Sequence, residues 1–176
     1  MVQNDASLTA LLHAGYRYAS TLASNPHEAE DLVHESWVRI TESYGNRSAG
    51  KVTPDKALLF RVIRNMHIVH FRRLKRFPLD NLDDHTLPSD EDSGSMISNA
   101  EDRQLQSALA TLRVREREAL FLSVIEGYTA QEIAELTLSS RGTILSLIHR
   151  ARQKLNQRLT AAHTNVVRLV TPQGKN

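Results

Sequence analysis

Cysteine is absent from the 176-residue chain, and this absence excludes disulfides, thiol catalysis and cysteine-based zinc sites. Aromatic residues make up only 5% of the chain. No apolar run approaches the ~20 residues of a membrane span, and the N-terminus lacks the apolar core of a signal peptide. We therefore expect a soluble, cytoplasmic protein without membrane insertion.

Strand-like alternation of apolar and polar residues is also missing, whereas apolar residues recur at helical spacing almost throughout. The expected fold class is all-α, with two small helical domains joined by an extended acidic linker. The expected boundaries are residues 1–76 for the first domain, 77–100 for the linker, 101–160 for the second domain and 161–176 for a frayed tail. Two small domains on a flexible linker are expected to move independently.

The formal net charge of +2 says little, but the distribution of charge is informative. Residues 51–76 hold eight bases and one Asp, whereas residues 80–102 hold eight acids and no Lys or Arg. Eight bases in one helical segment exceed what solubility requires and favour nucleic acid as a partner. The acidic stretch is read either as a solvated tether or as a mimic of a nucleic-acid strand.

Residues 129–155 predict two short helices with a tight joint, the pattern of a helix-turn-helix. Thr129 and Glu132 have the spacing of a capping box, and Ser139 or Ser140 can cap the second helix. Five basic residues and no acid lie between 139 and 159. A half-buried helix that exposes short polar groups and Arg fits a DNA major groove. The alternative is a surface helix pair with a solvated basic face.

Two further helix starts are predicted where a capping residue precedes proline. Asn25 and Pro26 open a helix that ends at Gly45, and Thr53 with Pro54 opens the next, which runs to about Arg76. Acidic residues are concentrated in the first half of the helix that starts at Pro26. Their charge is favourable at the positive end of the helix dipole, and it would also be favourable in a protein-docking surface.

Enzymatic chemistry is not indicated. The closest histidine pairs, such as His67 and His70, lie on a basic helix without a nearby carboxylate, and an isolated pair is more often surface or core than a metal ligand. We find neither a Gly-rich phosphate loop nor a nucleophile–base pattern. We therefore expect no catalytic residue, no metal, no cofactor and no small-molecule substrate.

Two separated stretches resemble one protein family. EAEDLVHESWVRI (28–40) with ALLFRVIRNMHIVHFRR (57–73) is similar to region 2 of the extracytoplasmic-function (ECF) branch of bacterial sigma factors. REREALFLSVIEGYTAQEIAELTLSSRGTILSLIHRARQKL (115–155) is similar to region 4 of the same family. The resemblance covers nearly all of residues 6–159. It implies a protein that binds core RNA polymerase, recognises the promoter −10 and −35 elements and promotes DNA opening to initiate transcription.

The resemblance also implies roles for individual residues, and an anti-sigma factor as a partner. The loop 45–53 matches the segment that pockets a flipped −10 base. The candidates are, for the −10 element, Arg61, Arg64, Asn65, His67, Arg72 and Arg73; for the −35 element, Arg141, Thr143, Ser146, His149 and Arg150; and for polymerase, Asp31, Leu32, Glu35 and Trp37.

Departures from the family pattern concentrate in region 4. Leu138 stands where the family usually has Gly in the turn, and Leu145 and Leu147 stand at positions that are usually basic. Losing two cations is expected to weaken phosphate binding. This motivates an alternative, a sigma-like mimic or regulator that acts by protein binding. An ordinary helix-turn-helix repressor or activator is a further alternative, but it leaves the first 76 residues unexplained.

Overall fold

The computed structural model describes residues 2–45, 55–75 and 100–170. The predicted base-pocketing loop (45–53) lies outside these residues except for residue 45, and the predicted acidic linker (77–100) lies outside them except for residue 100. Every regular element in the described residues is a helix, which confirms the all-α class. The helices are α1 (Val2–Leu22), α2 (Pro26–Gly45), α3 (Lys56–Lys75), α4 (Ala100–Ala110), α5 (Val114–Val124), α6 (Ala130–Thr137) and α7 (Arg141–Val170).

Helices α1 to α3 pack against one another and form the N-terminal unit. Helix α2 begins as predicted, because the Asn25 side chain accepts a hydrogen bond from the Glu28 amide at 2.8 Å. Glu28 in turn accepts from the Ser24 amide at 2.7 Å. Gly15 lets α1 approach α3 closely, since a Cβ atom at this position would lie 2.8 Å from a methyl group of Leu59.

The predicted start of α3 at Thr53 and Pro54 lies outside the described residues. The helix begins at Lys56, and Asp55 caps it by accepting a hydrogen bond from the Leu58 amide at 2.7 Å. Asp is a strong capping residue, and its carboxylate also interacts favourably with the positive end of the helix dipole.

Helices α4 to α7 form the C-terminal unit, with α5, α4 and α6 all packed on α7. The capping box at the start of α6 is confirmed, because the Thr129 hydroxyl accepts from the Glu132 amide and the Glu132 carboxylate accepts from the Thr129 amide at 2.8 Å. Of the two serines predicted to cap α7, Ser140 does so by accepting from the Thr143 amide at 3.1 Å.

Helix α7 extends further than the sequence analysis predicted. It continues to Val170, where the sequence analysis expected a frayed tail from residue 161. The segment 160–170 contains neither Pro nor Gly, and the first helix-breaking residue after the helix is Pro172. The remaining expected domain boundaries stay predictions.

The two units are in contact in the structure, and their independent movement on the linker stays a prediction. Helix α1 packs against α5, and α3 packs against α6. Buried apolar side chains of both units, including Tyr18, Phe60 and Leu122, join one continuous core cluster. The Tyr18 ring stacks on that of Phe60 with centroids 4.5 Å apart, and its centroid is 6.1 Å from that of Phe121.

Candidate nucleic-acid interfaces

The predicted −10 residues lie on α3, and the packing of the two units divides them into two groups. The exposed group consists of Arg61, Asn65, Arg72 and Arg73. The covered group consists of Arg64, whose side chain is 14% exposed, and His67, which is buried. The residues predicted to contact the −10 element are therefore only partly open to a ligand in this arrangement.

A buried carboxylate of the C-terminal unit accounts for the covering of Arg64. Arg64 donates its Nε–H to Oε1 of Glu118 on α5 at 3.0 Å, and the Tyr18 hydroxyl donates to the same oxygen at 2.6 Å. Burial and the Glu118 charge raise the pKa of Tyr18 well above its ordinary value. The tyrosine therefore remains a hydroxyl donor to this carboxylate at neutral pH.

The predicted −35 residues lie on α7 directly after the turn that follows α6. Arg141, Ser146, His149 and Arg150 are exposed and Thr143 is half-buried. The Thr143 hydroxyl lies 2.8 Å from that of Ser140, so it also contributes to the helix start. The opposite side of α7 is buried through Ile144, Leu147, Ile148 and Ala151.

The two leucines at family-basic positions of α7 have different environments. Leu147 is 4% exposed and belongs to the core, whereas Leu145 is 46% exposed. Leu147 therefore packs within its own unit and is unavailable to a partner. The alternative of a sigma-like mimic relied on both residues, and only Leu145 presents the surface that it requires.

The turn between α6 and α7 holds a leucine in a conformation that glycine adopts more easily. Leu138 has φ 53° and ψ 43°, the left-handed region, and its side chain stays exposed. A Cβ atom in this region clashes with the following carbonyl oxygen. The turn between α6 and α7 therefore holds leucine in place of the family's glycine at a steric cost that glycine would not carry.

Of the four predicted polymerase-binding residues on α2, three reach the surface. Asp31 and Glu35 are exposed and Trp37 is half-buried, whereas Leu32 lies fully inside the N-terminal unit. Glu35 is 3.0 Å from Nε2 of His70 on α3. Trp37 borders a cleft of about 780 Å³ between α1 and α2. The side chain of Leu32 supports the helix and does not itself present a docking surface in this arrangement.

Sequence reasoning missed an apolar groove between the units. It has a volume of about 610 Å³ and lies between α1, α4, α5 and α7. The exposed residues Leu105, Val124 and Ile125 border it. The apolar pattern within one helix does not reveal which apolar residues stay uncovered after packing.

Arg117 lies beside this groove and joins the two units. Its Nε–H donates to the Thr21 carbonyl oxygen of α1 at 2.7 Å. Burial lowers the pKa of Arg117 to about 10, so its guanidinium remains charged at neutral pH. The other two guanidinium nitrogens are buried without a hydrogen-bond partner among the described residues.

The described residues bring no three His, Asp or Glu side chains together in a way that could hold a metal ion. No helix in the described part of the chain is both long and apolar enough to span a membrane.

Comparison with protein families finds matches to both halves of the chain. The family model for Sigma-70 region 2 matches residues 8–77. The family model for Sigma-70, region 4 matches residues 102–155. The two matches fall on the N-terminal and C-terminal units in the order that the sequence analysis predicted.

Several curated relatives align with most of the chain. ECF RNA polymerase sigma factor SigL of Mycobacterium tuberculosis is 31% identical over 87% of this chain and 85% of its own length. SigE of Mycolicibacterium smegmatis is 32% identical over 85% of this chain, which spans 58% of that longer relative. EcfG of Rhodopseudomonas palustris is 28% identical over 79% of this chain and 75% of its own length.

Among solved structures, the fold is similar to the sigma factor RpoE in complex with the anti-sigma factor NepR from Bartonella quintana. The TM-score is 0.66 at 23% identity, covering 91% of this chain and 98% of that one. The family matches, the relatives and the fold agree: the chain belongs to the ECF subfamily of sigma factors, which are transcription initiation factors rather than catalytic enzymes.

Proposed function

We propose that this chain binds core RNA polymerase in the cytoplasm, reads the promoter −10 and −35 elements and promotes opening of the DNA. It does so by positioning and by charge, without catalytic residues, metal, cofactor or small-molecule substrate. We include an anti-sigma factor among the proposed partners on the ground of the family alone.

The observation that carries the proposal is the polar face of α7. Arg141, Ser146, His149 and Arg150 are exposed along a helix whose opposite side is anchored in the core. Arg can bind the two acceptors of guanine at once, while hydroxyl and imidazole groups can donate to or accept from base edges. A recognition helix presents such groups near its N-terminus, as α7 does. This face suits the −35 duplex.

The exposed bases of α3 suit the −10 element. Arg61, Arg72 and Arg73 supply positive charge along the helix, and Asn65 adds an amide that can donate and accept. Contacts to phosphates fix the register of the nucleic acid, whereas contacts to base edges read its sequence. We assign phosphate binding to the arginines and base contact to Asn65.

Two surfaces are candidates for polymerase. The α2 surface combines the exposed carboxylates of Asp31 and Glu35 with the half-buried Trp37, a mixture of charge and aromatic area that favours protein docking. The groove beside Leu105, Val124 and Ile125 suits an apolar polymerase segment. Leu32 has a supporting role inside α2.

Transcription in vitro with purified core polymerase and genomic promoter fragments tests the proposal. Discrete new start sites are expected. Replacing Arg141 and Arg150 together by Ala should lower the yield from these starts by about tenfold or more, because each lost base or phosphate contact costs about 1–3 kcal/mol. Retention on core polymerase should be unchanged.

The matched control is Arg103→Ala, which removes an exposed arginine of α4 outside both proposed DNA faces. It should leave the start sites and their yield unchanged. The proposal fails if core polymerase with the wild-type protein gives no promoter-dependent starts.

A further inference from the structure

An apolar side chain lies among the polar groups that α7 is proposed to present to the −35 duplex. Leu145 is 46% exposed, and the exposed Arg141 and His149 lie one helical turn before it and one turn after it. Residues four apart lie on the same side of a helix, so these three side chains form one row. The neighbouring Ile144 and Leu147 are buried in the core. Leu145 therefore faces the same ligand as Arg141 and His149.

The surface next to Leu145 is open on the side of the helix start. Leucine side chains on a helix point back over the preceding turn, which places that of Leu145 above Gly142, three positions earlier. A Cβ atom at Gly142 would make only an ordinary van der Waals contact, 3.9 Å from the hydroxyl oxygen of Ser140. Leu145 and Gly142 thus form a shallow apolar patch in the first turns of α7, where a recognition helix contacts bases.

Thymine has the chemistry that matches this apolar patch. In the major groove thymine presents a C5-methyl group, whereas the edges of the other three bases present hydrogen-bond donors and acceptors. Leucine neither donates nor accepts, so placing it against a polar edge removes water without replacing the lost hydrogen bonds. Against a methyl group it buries apolar surface instead. A leucine at this place therefore favours thymine and also disfavours its competitors.

We propose that Leu145 is a specificity-determining residue, which selects a thymine of the −35 element by contact with the C5-methyl group. This rests on the proposed reading of the −35 duplex by α7 and adds the base and the chemical group that one residue recognises. Arg141 and His149 supply polar contacts on either side, and contacts of this kind hold a helix in register on the duplex.

Leu138 provides a matched control, because single exposed leucines are ordinary on protein surfaces. Leu138 is 86% exposed and precedes α7, but it borders a cleft that Arg72 of α3 also lines. It therefore lies outside the row of Arg141, Leu145 and His149. Leu138→Ala removes as much apolar surface as Leu145→Ala and keeps a Cβ atom in the left-handed turn.

Selection from a library of duplexes with a randomised upstream segment identifies the base. Core polymerase loaded with the full-length wild-type chain should enrich duplexes that carry thymine at one −35 position. Holoenzyme with Leu145→Ala should enrich the other positions as before and lose the preference at this one. Holoenzyme with Leu138→Ala should keep the preference.

Deoxyuridine isolates the contribution of the methyl group, because it lacks only the C5-methyl of thymine. Replacing the selected thymine by deoxyuridine should weaken binding of the wild-type holoenzyme by about fourfold, as expected for the burial of about one methylene-sized group. The same replacement should change nothing for Leu145→Ala, so that the two losses are coupled rather than additive. Leu145→Lys should bind either duplex equally, since its charge attracts phosphates whatever the base.

The outcomes separate this inference from the proposed function. An equal effect of deoxyuridine on the wild type and on Leu145→Ala would overturn the thymine contact. Weaker retention of Leu145→Ala on core polymerase with an unchanged base preference would assign Leu145 to polymerase and overturn it as well. Promoter-dependent starts by the wild type would leave the proposed function intact in both cases. A wild-type holoenzyme that enriches no upstream sequence would overturn both the thymine contact and the proposed reading of the −35 element.

Discussion

The two surfaces proposed to read DNA differ in how much of each remains open. On α7 the predicted −35 residues are exposed, apart from the half-buried Thr143, while the opposite side of the helix is buried. On α3 the predicted −10 residues divide, because Arg64 and His67 are covered where the units meet. A basic residue on the outer side of one helix can thus be an inner residue of the whole molecule.

The difference has a physical origin in where opposite charge is found. Helices α3 and α5 meet in space where Arg64 pairs with Glu118, although these two residues are 54 positions apart along the chain. Glu118 is buried and the Arg64 side chain is 14% exposed, so the two opposite charges pair largely out of contact with water. On α7 Arg141 and Arg150 are exposed, whereas Lys154 further along the helix binds Glu116 of α5 at 2.6 Å.

The largest expected effect tests whether α7 has one buried and one open side. Leu147→Lys introduces a charge at a position that is 4% exposed and should lower the free energy of unfolding by about 3 kcal/mol or more. Leu145→Lys is the matched control at a 46% exposed position, and its effect on stability should stay within about 0.5 kcal/mol. Urea unfolding followed by circular dichroism measures both.

These two variants also separate packing from DNA binding. Leu145→Lys should increase the affinity of the holoenzyme for a −35 duplex and steepen its salt dependence, because it adds one phosphate-binding charge. Equal destabilisation by both substitutions would contradict the division of α7 into a buried and an open side.

A smaller effect is expected at the turn that holds α7 in position. Leu138→Gly should raise the free energy of unfolding by about 1 kcal/mol, because it removes the steric cost of a Cβ atom at φ 53°. The leucine side chain is 86% exposed, so its removal loses little apolar burial. Thermal or urea unfolding measures the gain.

Gly127 provides the opposite control, since it also has a positive φ, 74°, and no atom lies within 4 Å of a Cβ built there. Gly127→Ala should destabilise the protein by about 1 kcal/mol through the backbone alone. A loss of stability in Leu138→Gly would show that the leucine side chain makes a contact that outweighs its backbone cost.

Local sequence signals predicted much of the fold. Capping residues predicted the starts of α2, α6 and α7, because a cap depends on residues only three apart. The burial of one side of α7 agrees with the half-buried helix that the sequence analysis described. The sequence analysis did not identify Asp55, whose side chain caps α3.

Surface properties that depend on packing between units could not be predicted in this way. The family resemblance selected Arg64 for the −10 element, but it carried no information about the position of Glu118. Leu32 was selected from a motif, and only the packing of α1 to α3 shows that it is buried. The apolar groove likewise arises from four helices together.

The smallest expected effect concerns His67, the buried histidine of the covered α3 surface. Burial is the main cause that lowers its pKa from the ordinary 6.5; Arg64 and His70 lower it further, while Glu28 and Glu118 oppose the shift. Because the folded state binds the proton less readily than the unfolded state, the contribution of His67 to stability is complete above pH 6.5. It is lost as the pH falls from 6.5 through the lowered pKa.

His67 can change the free energy of unfolding by no more than about 1.4 kcal/mol per pH unit, which is the value for the uptake of one proton. Urea unfolding between pH 7.5 and 5 measures it, and His67→Gln, which cannot titrate, should flatten the curve relative to the wild type. The same slope in both proteins would mean that other groups set the pH dependence. A flatter curve in the variant would show that the covered side of α3 disfavours the protonated imidazole of His67.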